Sequence, residues 1–174
     1  MTIAFLALGS NIEPEKNILA AVKLLSKRVK ILATSTVYLT EPLIHKSQPN
    51  YYNCVIKIET EIEPVRLKFD VIRPIEKELG RKRTRSKFES RTIDIDLIVY
   101  GDKYVQERSL TVPDPDIRKR PFLALPLTEL EPNLFLADTH EPIQQVADEF
   151  RNSDLVKLQN FTTTLKDFLK TLSM

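Results

Sequence analysis

The run Thr92-Ile93-Asp94-Ile95-Asp96-Leu97-Ile98-Val99-Tyr100 carries two carboxylates two residues apart among apolar neighbours. Residues at that spacing share a face of an extended strand, so Asp94 and Asp96 point one way while Ile93, Ile95, Leu97 and Val99 point the other. Their Cα atoms then lie about 7 Å apart, and at an effective dielectric of about 20 the charges repel by about 2 kcal/mol. A mid-sheet strand carries that load only with water or a compensating cation. Magnesium suits the pair, because it takes one or two carboxylates and completes its octahedron with water and phosphate oxygens. A solvated polar face would show the same alternation. The preceding segment shifts the balance: of the eleven residues from Arg81 to Arg91, six are basic, namely Arg81, Lys82, Arg83, Arg85, Lys87 and Arg91, opposed by Glu89 alone. Metal ligands on a rigid strand beside guanidinium groups on a loop are the two halves of a metal-assisted polyphosphate site, and a loop of this length suggests a lid that excludes water. On charge alone, a merely solvated loop or nonspecific nucleic-acid binding stays open.

These residues need elements to hold them. Residues 3 to 8 form a continuous apolar run ended by Gly9-Ser10-Asn11, a buried strand entering a loop. Pro14 opens a helix with Ile18, Val22 and Leu25 at helical spacing, reaching about Arg28. Residues 29 to 39 read as a second strand, 40 to 50 as a loop with Pro42 and Pro49, and 51 to 60 as a third strand. Pro64 starts a second helix, with Val65, Phe69, Ile72, Ile75 and Leu79 on one face and Gly80 as its C-terminal cap. Pro74 inside it predicts a kink or a break, at a cost of roughly 3 kcal/mol. Residues 92 to 100 are the clearest strand, closed by a Gly101-Asp102 turn into a short partner around Tyr104. A proline-rich loop at 109 to 117, a short helix at about 119 to 125, turns at Pro126 and at 131 to 133, and helices at 142 to 150 and 162 to 172 complete the chain, the last with Thr162 as its cap. The pattern is α+β, helices on a largely antiparallel sheet. No repeat or linker divides it, and residues 1 to 174 read as a single domain.

Composition narrows the function. Of 174 residues only three are glycine, Gly9, Gly80 and Gly101, and no two are close, which excludes a Walker loop, a dinucleotide fingerprint and a kinase-type glycine flap. Any phosphate must therefore be held by side chains and metal. A net charge of +2 makes no case for wholesale nucleic-acid or membrane binding. One cysteine, Cys54, forms no internal disulfide, and with His45 and His140 it is too little for a zinc site. The first residues contain no basic leader, and no apolar run reaches membrane-spanning length, so a cytoplasmic protein is expected.

The run Glu76 to Gly101 resembles the signature of 6-hydroxymethyl-7,8-dihydropterin pyrophosphokinases, enzymes of the folate pathway. Ala7-Leu8-Gly9-Ser10-Asn11, Thr40-Glu41-Pro42, Gln48 to Asn53, Leu110 to Pro113 and Arg120 to Leu127 resemble further blocks of that family, in family order, over residues 3 to 132. The resemblance implies a ferredoxin-like α+β fold with mobile active-site loops, and transfer of pyrophosphate from ATP to the hydroxymethyl group of a reduced pterin, releasing AMP. It implies two magnesium ions on Asp94 and Asp96, with Arg81 and Arg91 stabilising charge on the transferring group. Asp96 is also a candidate to take the hydroxyl proton, no dedicated base being evident. Tyr51 and Phe122 resemble the aromatic pair that sandwiches the pterin, Asn53 the amide that reads its edge, and Thr40 and Leu43 contribute backbone groups; as residues alone, the two aromatics could equally be core. Arg73, Glu76, Arg83, Leu97, Thr111 and Arg120 fall where the family contacts ATP, and Phe88 on the loop is placed to close over the site.

Two departures stand out. Asp114 occupies a position where the family often has histidine, and an acid there repels triphosphate unless it points away or helps hold metal. The basic residue usual just before Leu110 is here Arg108 rather than Ser109. Residues from about 135 onward carry no motif and read as a helical extension packed on the body. ATP and a reduced pterin are the expected partners, with neither nucleic acid nor membrane, in a monomer. An RNA-binding module would want exposed aromatics where this strand has Asp94 and Asp96, and a catalytically silent homologue sits poorly with the intact Asp94, Asp96, Arg81 and Arg91 set.

Overall fold

The apolar run near the N-terminus becomes β1 (Thr2–Ser10), with strands on both sides. It pairs antiparallel with β4 (Tyr51–Thr60) on one side and β5 (Asp94–Tyr100) on the other. The structure is a computed structural model, and it describes residues 1–85 and 89–174. Strands β2 (Lys30–Thr34) and β3 (Tyr38–Thr40) both pair with β4, and a two-residue strand, β8 (Val156–Lys157), pairs with β3. All these pairings are antiparallel, and with the crossover helices the arrangement is the ferredoxin-like α+β fold.

Alternation along β1 sends its side chains to two cores. Ala4, Leu6 and Leu8 pack with α1 (Pro14–Ser26), the helical stretch from 64 to 78 and α6 (Gln159–Leu172). Phe5 and Ala7 face α4 (Pro121–Leu130) and α5 (Ile143–Asp148). Among the described residues no helix is long and apolar enough to cross a membrane.

Several expectations change. The strand expected over 29 to 39 is two, because one extra residue sits between the pairs Thr34 with Ile56 and Tyr38 with Asn53. At the join, the Ser35 amide donates to the Val55 carbonyl and its hydroxyl accepts from the Val55 amide, each at 2.9 Å, so a side chain stands in for the ladder. Pro74 does not break its helix. The chain runs through α2 (Pro64–Arg66), a π-helical stretch Leu67–Ile72 and α3 (Arg73–Glu78), with the Arg73 amide donating to the Lys68 carbonyl five residues back. The wider turn moves the i−4 carbonyl out of the proline ring's path.

The strand after Gly101, β6 (Val105–Glu107), pairs not with β5 but with β7 (Leu110–Val112), inside the segment expected to be loop. Pro126 lies within α4 rather than at a turn, where burial of Leu123, Ala124 and Leu127 against the sheet carries the helix past it. Thr162 is not a cap, since α6 begins at Gln159. Its buried hydroxyl accepts from the Val37 amide at 2.9 Å and donates to the Leu158 carbonyl at 2.8 Å. The Leu158 amide donates back to the Val37 carbonyl, so the C-terminal segment grips the strand edge at β3.

Candidate active site

Helices α4 and α5 cover only part of their face of the sheet, and the uncovered end carries the polar residues. In register, Gly9 stands opposite Asn53 on β4 and opposite Asp94 on β5, while Thr40 on β3 stands opposite Tyr51. Residues directly opposite in antiparallel strands share a face, so these side chains converge. Gly9 is needed for closeness: a Cβ there would lie 2.9 Å from Asn53 Oδ1. Asn53 is buried, and its Nδ2 donates to Thr40 Oγ1 at 2.6 Å. Leu43 from the following loop and Phe122 from the start of α4 complete a recess that Arg91 and Asp94 also line. All five residues expected on the pterin side, Thr40, Leu43, Tyr51, Asn53 and Phe122, therefore meet in one place. Thr40 contributes a side-chain hydroxyl to it, beyond the backbone role expected.

Asp94 is held by two arginines. Arg81 Nη1 lies 2.7 Å from one carboxylate oxygen and Arg91 Nη1 2.7 Å from the other. Arg81 also pairs with Glu76, whose other oxygen is 3.0 Å from Arg83 Nη2, and the Ile95 amide donates to Glu76 at 3.1 Å. Glu76, 2% exposed, is thus a buried anchor between helix α3, the basic loop and β5. Gly80, at φ 82°, makes this possible by reversing the chain so that the Arg81 amide donates back to the Glu76 carbonyl. At the loop's far end, Asn11 Oδ1 accepts from the Arg91 amide at 2.7 Å and the Ser10 hydroxyl donates to the Thr92 carbonyl at 2.5 Å. The Tyr51 hydroxyl donates to the Glu89 carbonyl at 3.2 Å, tying the aromatic wall to the same loop.

Asp96 meets different surroundings. It opens into a second recess between β5, the π-helical stretch and the β6–β7 turn, with Leu97, Thr111, Lys68, Arg108 and Asp114 in its walls. Although Asp96 is exposed to solvent at the recess, the protein around it raises its pKa to about 7, with the charges of Asp94 and then Asp114 adding to this and Arg81 and Lys68 opposing. Asp114 does not point away. It accepts from the Asp116 amide at 2.8 Å at the start of a 3₁₀ turn (Pro115–Arg118), and burial raises its own pKa. Among the described residues no three His, Cys, Asp or Glu side chains cluster to hold a metal. Two strand carboxylates with one of them short of positive charge fit a divalent ion that draws its other ligands from water and phosphate.

The profile of the 7,8-dihydro-6-hydroxymethylpterin-pyrophosphokinase (HPPK) family matches residues 5–132. The chain belongs to that family. It is 37% identical over 161 residues to the 2-amino-4-hydroxy-6-hydroxymethyldihydropteridine pyrophosphokinase of Haemophilus influenzae, covering 91% of this chain and 99% of that one. It is 36% identical over 150 residues to the protein of the same name from Aquifex aeolicus, 86% of this chain and 92% of that one. Among solved structures it superimposes on the Plasmodium falciparum HPPK-DHPS triple mutant with TM-score 0.70 at 15% identity, over 87% of this chain and 43% of that longer one.

Within this HPPK framework the nucleotide-side expectations divide. Leu97 and Thr111 line the second recess with Asp96, whereas Glu76 and Arg83 lie in the ion-pair network behind Asp94. Arg73 stacks on the Phe69 ring, 4.4 Å from its centroid, with its Nε buried and without a hydrogen-bond partner among the described residues. Arg120 lines a depression beside Thr40, Leu43 and Phe122 and does not line the second recess. Phe88 falls outside the described residues. Lys68 was not signalled by any motif, and its place in the recess follows from the π-helical turn rather than from spacing.

Proposed function

We propose that the two recesses on either side of β5 hold the two substrates of one reaction, transfer of pyrophosphate from ATP to 6-hydroxymethyl-7,8-dihydropterin, giving the pterin diphosphate and AMP. As an HPPK the protein is a pyrophosphokinase of folate synthesis. The observation that carries the assignment of sites is the convergence of Thr40, Leu43, Tyr51, Asn53 and Phe122 with Arg91 and Asp94 in a single recess. Tyr51 and Phe122 offer flat apolar faces for a ring. Asn53 offers an acceptor, Oδ1, beside the notch left by Gly9, complementary to an amide-like edge. The second recess, with Asp96, Leu97 and Thr111, takes ATP.

Asp94 and Asp96 would hold two magnesium ions, whose chemistry is to neutralise and orient the triphosphate. Arg81 and Arg91 now neutralise Asp94; with nucleotide present they turn to the transferring group, where guanidinium groups match phosphate oxygens. Attack of the hydroxymethyl oxygen at the β-phosphorus breaks the bond from that phosphorus to the α,β-bridging oxygen, which leaves on AMP, while the hydroxyl proton passes to Asp96 or to water. Because such transition states are loose, fixed charge and positioning carry the step rather than a strong base. The same proposal takes residues 1 to 174 as one domain acting as a monomer in the cytoplasm, in keeping with a lone, buried Cys54 whose thiol burial pushes up to about 12.

The test is AMP release from ATP and magnesium with and without hydroxymethyldihydropterin. Pterin-dependent AMP is expected; AMP that is absent or indifferent to pterin overturns the assignment.

A further inference from the structure

The second recess poses an electrostatic problem that the metal ligands do not solve. Its walls present Asp96 and Asp114, and Glu107 stands on its rim, yet a polyphosphate is itself strongly anionic. A metal ion held there would compensate Asp96. Asp114 is a different case, because its bond to the Asp116 amide at the start of the 3₁₀ turn holds its carboxylate in the recess wall. Two cationic side chains line the recess, Arg108 and Lys68. Arg108 sits exposed on the β6–β7 turn. Lys68 comes from the opposite wall, the π-helical stretch, and reaches across so that its ammonium hydrogen-bonds the Ser109 carbonyl.

The hydrogen bond given to this ammonium goes to a neutral carbonyl, a weak partner for a full charge. The group is also partly desolvated. Burial and the neighbouring Arg73 and Arg83 disfavour its charge, while Asp96 and Asp114 favour it. An ammonium with three donors, flanked by other cations and held on a carbonyl, gains by exchanging that carbonyl for a phosphate oxygen. The π-helical turn is what aims it there, since one extra residue in the helix resets the phase of the side chains that precede Arg73.

We propose that Lys68 contacts the polyphosphate of the nucleotide and supplies the positive charge that offsets Asp114 in the second recess. This rests on ATP occupying that recess. A lysine that merely neutralised Asp114 would leave nucleotide affinity alone once Asp114 was also neutral, which gives the experiment its form.

Binding of α,β-methylene ATP with magnesium is measured by titration calorimetry on the intact protein, Lys68→Met, Lys68→Arg, Asp114→Asn and the Lys68→Met/Asp114→Asn double variant. A lost charge-assisted hydrogen bond corresponds to about a 10-fold or greater loss of affinity. Lys68→Met is expected to show that loss, Lys68→Arg to recover most of it, and the double variant to remain clearly weaker than Asp114→Asn alone. Pterin affinity and melting temperature are expected to stay near those of the parent. If Lys68→Met binds the analogue within about twofold of the parent, or if the double variant matches Asp114→Asn, Lys68 is not a phosphate contact. If the parent protein itself binds no magnesium nucleotide, the assignment of the recess fails first and takes Lys68 with it.

Discussion

Two aspartates two residues apart on one strand live in opposite electrostatic worlds. Asp94, at the first recess, is clamped by Arg81 and Arg91, and Arg81 is anchored in turn by the buried Glu76. Asp96, at the second, faces Asp114 with, among the described residues, no ion-pair clamp like that on Asp94, and Arg81 and Lys68 only partly offset its raised pKa. The first recess is preorganised by side chains that satisfy one another; the second is left short of positive charge. That difference fits the partner proposed for each. A neutral bicyclic ring needs shape and a few fixed polar atoms, whereas a polyanion that arrives with its own cations needs an unsatisfied carboxylate to receive them.

The contrast is easiest to break at Asp96. Asp96→Ala should lower turnover by about 100- to 1,000-fold or more while leaving the protein folded, read by AMP release and a thermal melt. Near-normal turnover would remove the metal assignment. Glu76→Ala attacks the other side, since it strips a buried anion from Arg81 and Arg83 and an acceptor from the Ile95 amide. A stability loss of about 2 kcal/mol is expected in urea unfolding, because the buried Ile95 amide loses its acceptor and Arg81 is left with Asp94 after losing Glu76; a loss under about 1 kcal/mol would mean that the anchor is dispensable.

Gly9→Ala sharpens the comparison, because it should disturb one recess alone. The added methyl meets Asn53 Oδ1 at 2.9 Å, so calorimetry should show about a 10-fold weaker pterin affinity with magnesium nucleotide binding unchanged. Equal weakening of both ligands would argue for one shared site.

The smallest effect concerns pH. Folding raises the Asp96 pKa from 3.8 to about 7, so the folded chain binds more protons than the unfolded one across that interval, and stability falls as pH rises through it. Asp96→Asn removes the penalty. With solvent screening it should be about 1 kcal/mol more stable than the parent at pH 8 and no different near pH 3, without magnesium, by denaturant titration. The opposite slope would show that Asp96 is favoured in its charged form.

Much of the site was legible because it rests on local alternation. Asp94 and Asp96 share a face, and the block ending in Gly9-Ser10-Asn11 lies beside them because β1 is their ladder partner. Gly9 does not end the strand as the apolar run suggests; β1 runs on to Ser10, and the glycine clears space for Asn53. The residues that escaped depend on distant packing. Asp114, legible as a departure from the family pattern, reaches the recess at the start of a 3₁₀ turn, whereas Lys68, which no motif marks, reaches it through a π-helical one, a form that leaves no periodic signature. The division of 29 to 39 depends on Ser35 meeting Val55, and β8 on a pairing across more than a hundred residues. Arg73 and Arg120 sit outside the recess that their blocks suggested.

The grip of the C-terminal segment on Val37 has a kinetic consequence. The amide of Val37 is sealed by the Thr162 hydroxyl, and its carbonyl by the Leu158 amide. Three residues on, the β3 strand carries Thr40 into the first recess, while the Phe161 ring packs 5.8 Å from that of Tyr52, between Tyr51 and Asn53. Deuterium uptake at the Val37 amide is therefore expected to report the undocking of α6 from the strand edge that leads into the first recess.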